Sequence, residues 1–232
     1  VKDSGTENTG WTQAVAAVDF DQDGWPDLVV GNDFGVNSWY RNLGNGKFED
    51  VARQYGTDIP ANSMNVGTAD LNGDGYPDVY ISNILTMVKD EKYVLPTEDT
   101  KMKLNPAKLA TMRVVGFNHL FTSDASGNKV VKYELSNAID REDTSTGWAW
   151  DADFFDFDND GDDDLYVVNG LNEYKMYDAN FDLKTPSGDT QTWMFSVHDV
   201  EDNVFFVNED GKLRNRSAES GANLSMNSRS AA

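Results

Sequence analysis

The stretch DFDNDGDDDLYVVNG, Asp156–Gly170, sets six aspartates within nine residues directly against an apolar segment rich in β-branched residues. Like charges at that density repel one another, and a solvated acidic run does not ordinarily lead into a strand. The pattern recurs twice upstream, as DFDQDGWPDLVVGN from Asp19 and DLNGDGYPDVYISN from Asp70. All three read D-x-[DN]-x-D-G-x-x-D, then an apolar run ending in Asn, with the first Asp five residues before the Gly and eight before the last Asp. A merely solvated loop has no reason to keep that register three times.

The spacing suits a hard cation. Calcium takes about six to eight oxygen ligands, and alternate side chains of a tight loop converge on one point. Positions 1, 3 and 5 are Asp19, Asp21 and Asp23 in the first loop, Asp70, Asn72 and Asp74 in the second, and Asp156, Asp158 and Asp160 in the third. Gly24, Gly75 and Gly161 supply the sharp turn. The carbonyls of Trp25, Tyr76 and Asp162 are expected at position 7, and Asp27, Asp78 and Asp164 close the shell at position 9. The side chains of Asp162 and Asp163 are left for solvent or for the local field. About three Ca2+ ions are expected, the loop with Asn72 binding most weakly because it has one charge fewer. An EF-hand begins in the same way, but it needs a Glu at position 12 and a helix leaving the loop. Here position 12 is Val30, Ile81 or Val167, and the exits LVVGN, VYISN and LYVVN are strand sequences.

Around each loop a longer unit repeats. AVAAVDF, NVGTADL and WDADFFDF precede the loops; NSWYRN, NHLFTS and NVFFVN follow in register at Asn37, Asn118 and Asn203; KFEDVA, KVVKYEL and KLRNRSA follow Gly-containing turns. Four strands per unit with a base period near fifty residues read as an all-β protein, a β-propeller of four-stranded blades. The loop starts lie 51 and 86 residues apart, so the second unit carries an insertion. The expected division is 1–10 as the end of a preceding blade or a linker, and 11–60 as a blade with loop 19–27. Next come 61–143 with loop 70–78 and an insertion at 84–116, 144–222 with loop 156–164 and an insertion at 171–202, and 223–232 as a following first strand. Thr97 and Asn105-Pro106 suggest short helices in the first insertion. SMNSRSAA at 225–232 resembles SMNVGTAD before the second loop, so about three blades of a larger propeller are expected.

The loops and their flanking strands resemble FG-GAP/VCBS repeats, the calcium-loop blades of integrin α-type propellers. More narrowly, GWAWDADFFDFDNDGDDDLYVVNG and SMNVGTADLNGDGYPDVYISN resemble the ASPIC/UnbV-associated VCBS-repeat proteins related to cartilage acidic protein. The resemblance implies a calcium-bound propeller used for adhesion or scaffolding.

Composition bounds the partners. The formal net charge is −21, with 40 acidic against 19 basic residues, which disfavours nucleic acid and anionic membranes. Eleven of those carboxylates sit at side-chain ligand positions, so three calcium ions would offset six charges. The chain has no cysteine and no apolar run of membrane-spanning length. Loops of this kind fill at the roughly 0.1–1 mM calcium of extracellular modules, so the expected location is extracellular, cell-surface or periplasmic. His119 falls in the third-strand register and reads as an ordinary strand residue, and His198 as a solvated one. No catalytic residue is expected, because calcium ligands must stay ionised and make poor acids. The leading reading is a calcium-binding module for a protein or glycan partner, or for copies of itself. The alternative is a propeller-based polysaccharide lyase or hydrolase with its active groups in the insertions or in other blades.

Overall fold

The computed structural model describes residues 3–8, 10–84, 86–89, 92–93, 112–115, 117–124, 132–140, 143–170, 183–184, 190–191, 201–226 and 228–231. The chain is all-β, built from antiparallel strands with two one-turn helices among the described residues.

The first unit is β1 (Trp11–Val18), β2 (Asp27–Val36), β3 (Ser38–Asn42) and β4 (Phe48–Asp50), each paired with the next. Helix α1 (Ala52–Tyr55) follows and ends at Gly56 in a left-handed conformation. The second unit begins with β5 (Pro60–Ala69) and β6 (Asp78–Ile84). Three short strands, β7 (Thr86–Lys89), β8 (Lys92–Tyr93) and β9 (Met112–Val115), form a separate sheet, and β10 (His119–Asp124) and β11 (Lys132–Leu135) complete the unit. The third unit is β12 (Ala149–Phe155) and β13 (Asp164–Asn169), then the paired two-residue strands β14 (Leu183–Lys184) and β15 (Thr190–Gln191), then β16 (Val204–Asn208) and β17 (Leu213–Asn215). Helix α2 (Ser217–Ser220) ends at left-handed Gly221.

In each of the three units four strands pair in chain order, and the described strands β7–β9 and β14–β15 fall in the sequence between the second and third of them. What is described of them is strand; the helices expected at Thr97 and Asn105 lie outside the described residues. The first strand of each unit carries a bulge six residues before the first loop Asp, between Thr12 and Ala14, Ser63 and Asn65, and Ala149 and Asp151. A bulge sharpens the twist of an antiparallel pair and re-aims the strand end. The far end of β2 pairs in turn with the start of β5, Asp33 opposite Asn62 and Val36 opposite Pro60, which joins the first two units into one sheet.

The units pack face to face through two cores. Phe20, Trp39 and Tyr55 of the first unit meet Val79, Ile81, Phe121 and Tyr133 of the second. The Trp39 and Tyr133 rings lie 4.6 Å apart and those of Phe20 and Tyr133 6.3 Å apart, edge to face. Leu71, Tyr80 and Leu120 of the second unit likewise meet Leu165, Val167, Phe206 and Leu213 of the third. Phe157 stands in the third loop where Phe20 and Leu71 stand in theirs, yet it is 45% exposed where they are 0% and 3%.

A triplet of asparagine clasps fixes the opposite end of each unit. The side-chain oxygens of Asn37, Asn118 and Asn203 accept from the backbone N–H of Asn32, Asn83 and Asn169 at 2.8, 2.8 and 3.0 Å. The amides of Asn32, Asn83 and Asn169 donate back to the carbonyls of Val36, Phe117 and Asp202. These are the asparagines in register in the sequence, and their clasp closes the second-to-third-strand connection whether or not an insertion follows it.

Candidate metal centre

Each acidic loop must turn the chain from the first strand of its unit into the second. It does so with left-handed residues at positions 4 and 6: Gln22, Gly73 and Asn159 have φ of 59°, 69° and 62°, and Gly24, Gly75 and Gly161 have 92°, 87° and 101°. Sequence reasoning found position 6 and missed position 4. Gly73 and Asn159 are residue types that tolerate this conformation, but Gln22 obscures the signal.

The same hydrogen bonds then recur loop by loop. Both oxygens of the position-1 carboxylate accept backbone N–H groups: Asp19 from Asp23 and Gly24 at 3.0 and 2.9 Å, Asp70 from Asp74 and Gly75 at 3.0 and 2.8 Å, Asp156 from Asp160 and Gly161 at 3.1 and 3.2 Å. At position 3, Asp21 and Asn72 each accept the N–H of position 5, at 3.3 and 2.9 Å. Asp23, Asp74 and Asp160 at position 5 accept the N–H of Trp25, Tyr76 and Asp162 at 2.9, 2.9 and 3.2 Å. These Asx-type bonds fold the loop side chains back onto the turn backbone, with Asp23, Asp74 and Asp160 at position 5 remaining exposed.

Position 9 differs from the others in being buried, with Asp27, Asp78 and Asp164 at most 1% exposed. One oxygen of each accepts the N–H of position 2, from Phe20, Leu71 and Phe157. The other accepts an N–H from the third strand of the unit, from Asn42, Ser123 and Asn208 at 2.7, 2.7 and 2.8 Å. The residue expected only to close a ligand shell thus also ties loop, second strand and third strand together. Each oxygen retains a further lone pair, which on Asp78 Oδ1 faces the Ser123 hydroxyl at 3.1 Å.

Asp19, Asp21 and Asp27 each bring one carboxylate oxygen to within 4.8 Å of the others, and so do Asp156, Asp158 and Asp164. Ligands on a sphere of about 2.3–2.6 Å radius span no more than about twice that, so these oxygens fit one calcium ion. Burial, more than the neighbouring carboxylates, pushes Asp27 up to about 6 and raises Asp21 and Asp164. Asp78 also rises to about 6 through burial.

The third loop adds a feature the sequence did not disclose. Asp162 was expected to offer its carbonyl as the ligand, leaving its side chain to solvent or to the local field. Its Oδ1 instead has neither solvent contact nor a hydrogen-bond partner. Desolvation and then the carboxylates of Asp160, Asp164 and Asp158 push it up to about 6. An orphaned, sequestered carboxylate oxygen among other carboxylates fits a hard cation, which satisfies it without a proton.

The arrangement defines an all-β protein with a repeated acidic turn of hard-oxygen chemistry. Residues 3–81 match the family model of the FG-GAP-like repeat, a span that contains the first two acidic loops. No curated protein matches the chain. The third loop lies beyond the matched span and repeats the hydrogen bonds of positions 1, 5 and 9.

Among the other candidates, His119 is 2% exposed within β10, in keeping with a strand residue. His198 lies outside the described residues.

Proposed function

We propose that the chain is a calcium-stabilised β-propeller module acting outside the cytoplasm as a binding, adhesion or scaffold unit for a protein or glycan partner. The observation that carries the reading is the repeated loop network with its converging carboxylate oxygens, sharpened by the orphaned Asp162 Oδ1. The ligands would be the side chains at positions 1, 3, 5 and 9 and the carbonyl at position 7. A bound dication would supply the counter-charge that these desolvated carboxylates lack.

The match to the FG-GAP-like repeat supports the binding role and the propeller geometry. In a closed ring, a neighbouring blade would cover Phe155 and Phe157, which are 44% and 45% exposed on the face that the other two units bury. The narrower kinship with the ASPIC/UnbV-associated proteins belongs to the same proposal. Native mass spectrometry of the full chain in millimolar calcium should count three ions, and Asp19→Ala, Asp70→Ala and Asp156→Ala should each remove one. A chain that carries no calcium at that concentration would overturn the reading.

A further inference from the structure

Ser123 occupies a position in the second unit that the other units fill differently. Its counterparts, Asn42 and Asn208, also give their backbone N–H to the position-9 carboxylate. Their side chains, however, are engaged away from the loop carboxylates: the amides donate to the carbonyls of Pro26 and Leu71, and the oxygens accept from Gly44 and Gly211. Ser123 is buried, and its Oγ lies 3.1 Å from Asp78 Oδ1 and 3.2 and 3.3 Å from the two oxygens of Asp74.

A hydroxyl has one proton and two lone pairs. Here it faces three carboxylate oxygens and can donate to only one at a time, so the remaining contacts set lone pair against lone pair. A cation among these groups resolves the conflict, because the hydroxyl oxygen and the carboxylates then all become ligands. This is also the loop where Asn72 replaces an aspartate.

We propose that the Ser123 hydroxyl is a ligand of the cation in the second loop, an oxygen recruited from the third strand of the unit where the loop itself is one carboxylate short. The inference rests on the reading that this loop holds calcium. Its structural consequence is specific to the second unit. The segment from Ile84 to Gly116 separates β6 from the strand that carries Ser123. A ligand from β10 therefore makes the ion span that insertion, and closing a long connection costs chain entropy that a bound metal can offset.

The test is calorimetric titration of the calcium-free full chain with calcium chloride, with ions counted by native mass spectrometry. Ser123→Ala should weaken one of three sites about tenfold, as loss of a supporting metal contact typically does, and leave the other two unchanged. Ser123→Cys, which keeps the size but offers a soft sulfur, should show the same loss, and Ser123→Thr should restore the site. If Ser123→Ala lowers only the calcium-free melting temperature, or weakens all three sites alike, Ser123 is a hydrogen-bond donor alone and the inference falls. If Asp70→Ala binds as many ions as the unaltered chain, the second loop is not a calcium site. The underlying reading of that loop then fails together with the inference.

Discussion

A carboxylate cut off from solvent is destabilising unless its oxygens are occupied, and Asp27 meets that condition with the Phe20 and Asn42 amides. This separates the residues of one loop into two kinds. Asp27→Asn presents an amide N–H to a backbone N–H, and should cost about 1–3 kcal/mol even in chelator, the penalty of a buried unsatisfied donor. Asp21→Asn relieves repulsion from Asp23 and Asp19 and should leave the calcium-free stability within about 0.5 kcal/mol, while weakening calcium binding. Urea denaturation of both variants with and without calcium checks the pair, and equal losses in chelator would refute the division. That position 9 of the first and third loops turns toward positions 1 and 3 was legible because it follows from spacing. Its clamp was not, because the third-strand partner lies 15, 45 or 44 residues away, and sequence does not show which amide folding brings to it. Asp162 escaped for a related reason: whether a loop side chain turns outward or inward depends on rotamer and packing rather than on register.

The strands were readable from β-branched and aromatic runs flanked by turn residues, and the loop-exit strands begin within one residue of where LVVGN, VYISN and LYVVN place them. Less visible were α1 and α2, each only one turn long, whose sequence trace is a Gly in YGT and SGA. A single turn is too short to show a helical period, and its stability comes from packing, as for Tyr55 against Tyr133. The bulges were hidden as well, since an extra residue in one strand is detectable only from its partner. Within β10, His119 sits between the rings of Phe117 and Phe121 at 4.9 and 5.8 Å, and burial lowers its imidazole to about 4. The unfolded imidazole takes a proton below about 6.5, whereas the folded one resists until about 4. Acidification through that window therefore favours the unfolded chain, by up to roughly 3 kcal/mol. His119→Phe should flatten this acid limb relative to the unaltered chain at saturating calcium, as read from stability against pH between 7 and 4. Parallel curves for the two proteins would contradict it.

At the scale of the whole molecule, a formal charge of −21 makes the fold self-repelling, and three dications would offset six of those charges. A site at a free calcium level ~100 times its dissociation constant stabilises the native state by roughly 2.7 kcal/mol, against a total of ~5–15 kcal/mol for a domain. Chelation should therefore lower the melting temperature of the full chain by many degrees and open it to protease, and Asp160→Ala should reproduce much of the third site's share. A melting temperature unmoved by chelator would leave the aspartates as a solvated acidic surface. The repeat period was legible at this scale, whereas the joining of two units through β2 and β5 was not, because that pairing depends on how the units are placed. Those joints also give the molecule a direction. The Phe20 carbonyl in the first loop accepts the Tyr133 hydroxyl of the second unit, and the Leu71 carbonyl in the second loop accepts the Asn208 amide of the third. The first two turns thus each brace the unit that comes after them. An ion arriving at the first loop would stiffen a foothold shared with its downstream neighbour, so that neighbouring turns would settle together, like adjoining stones of an arch.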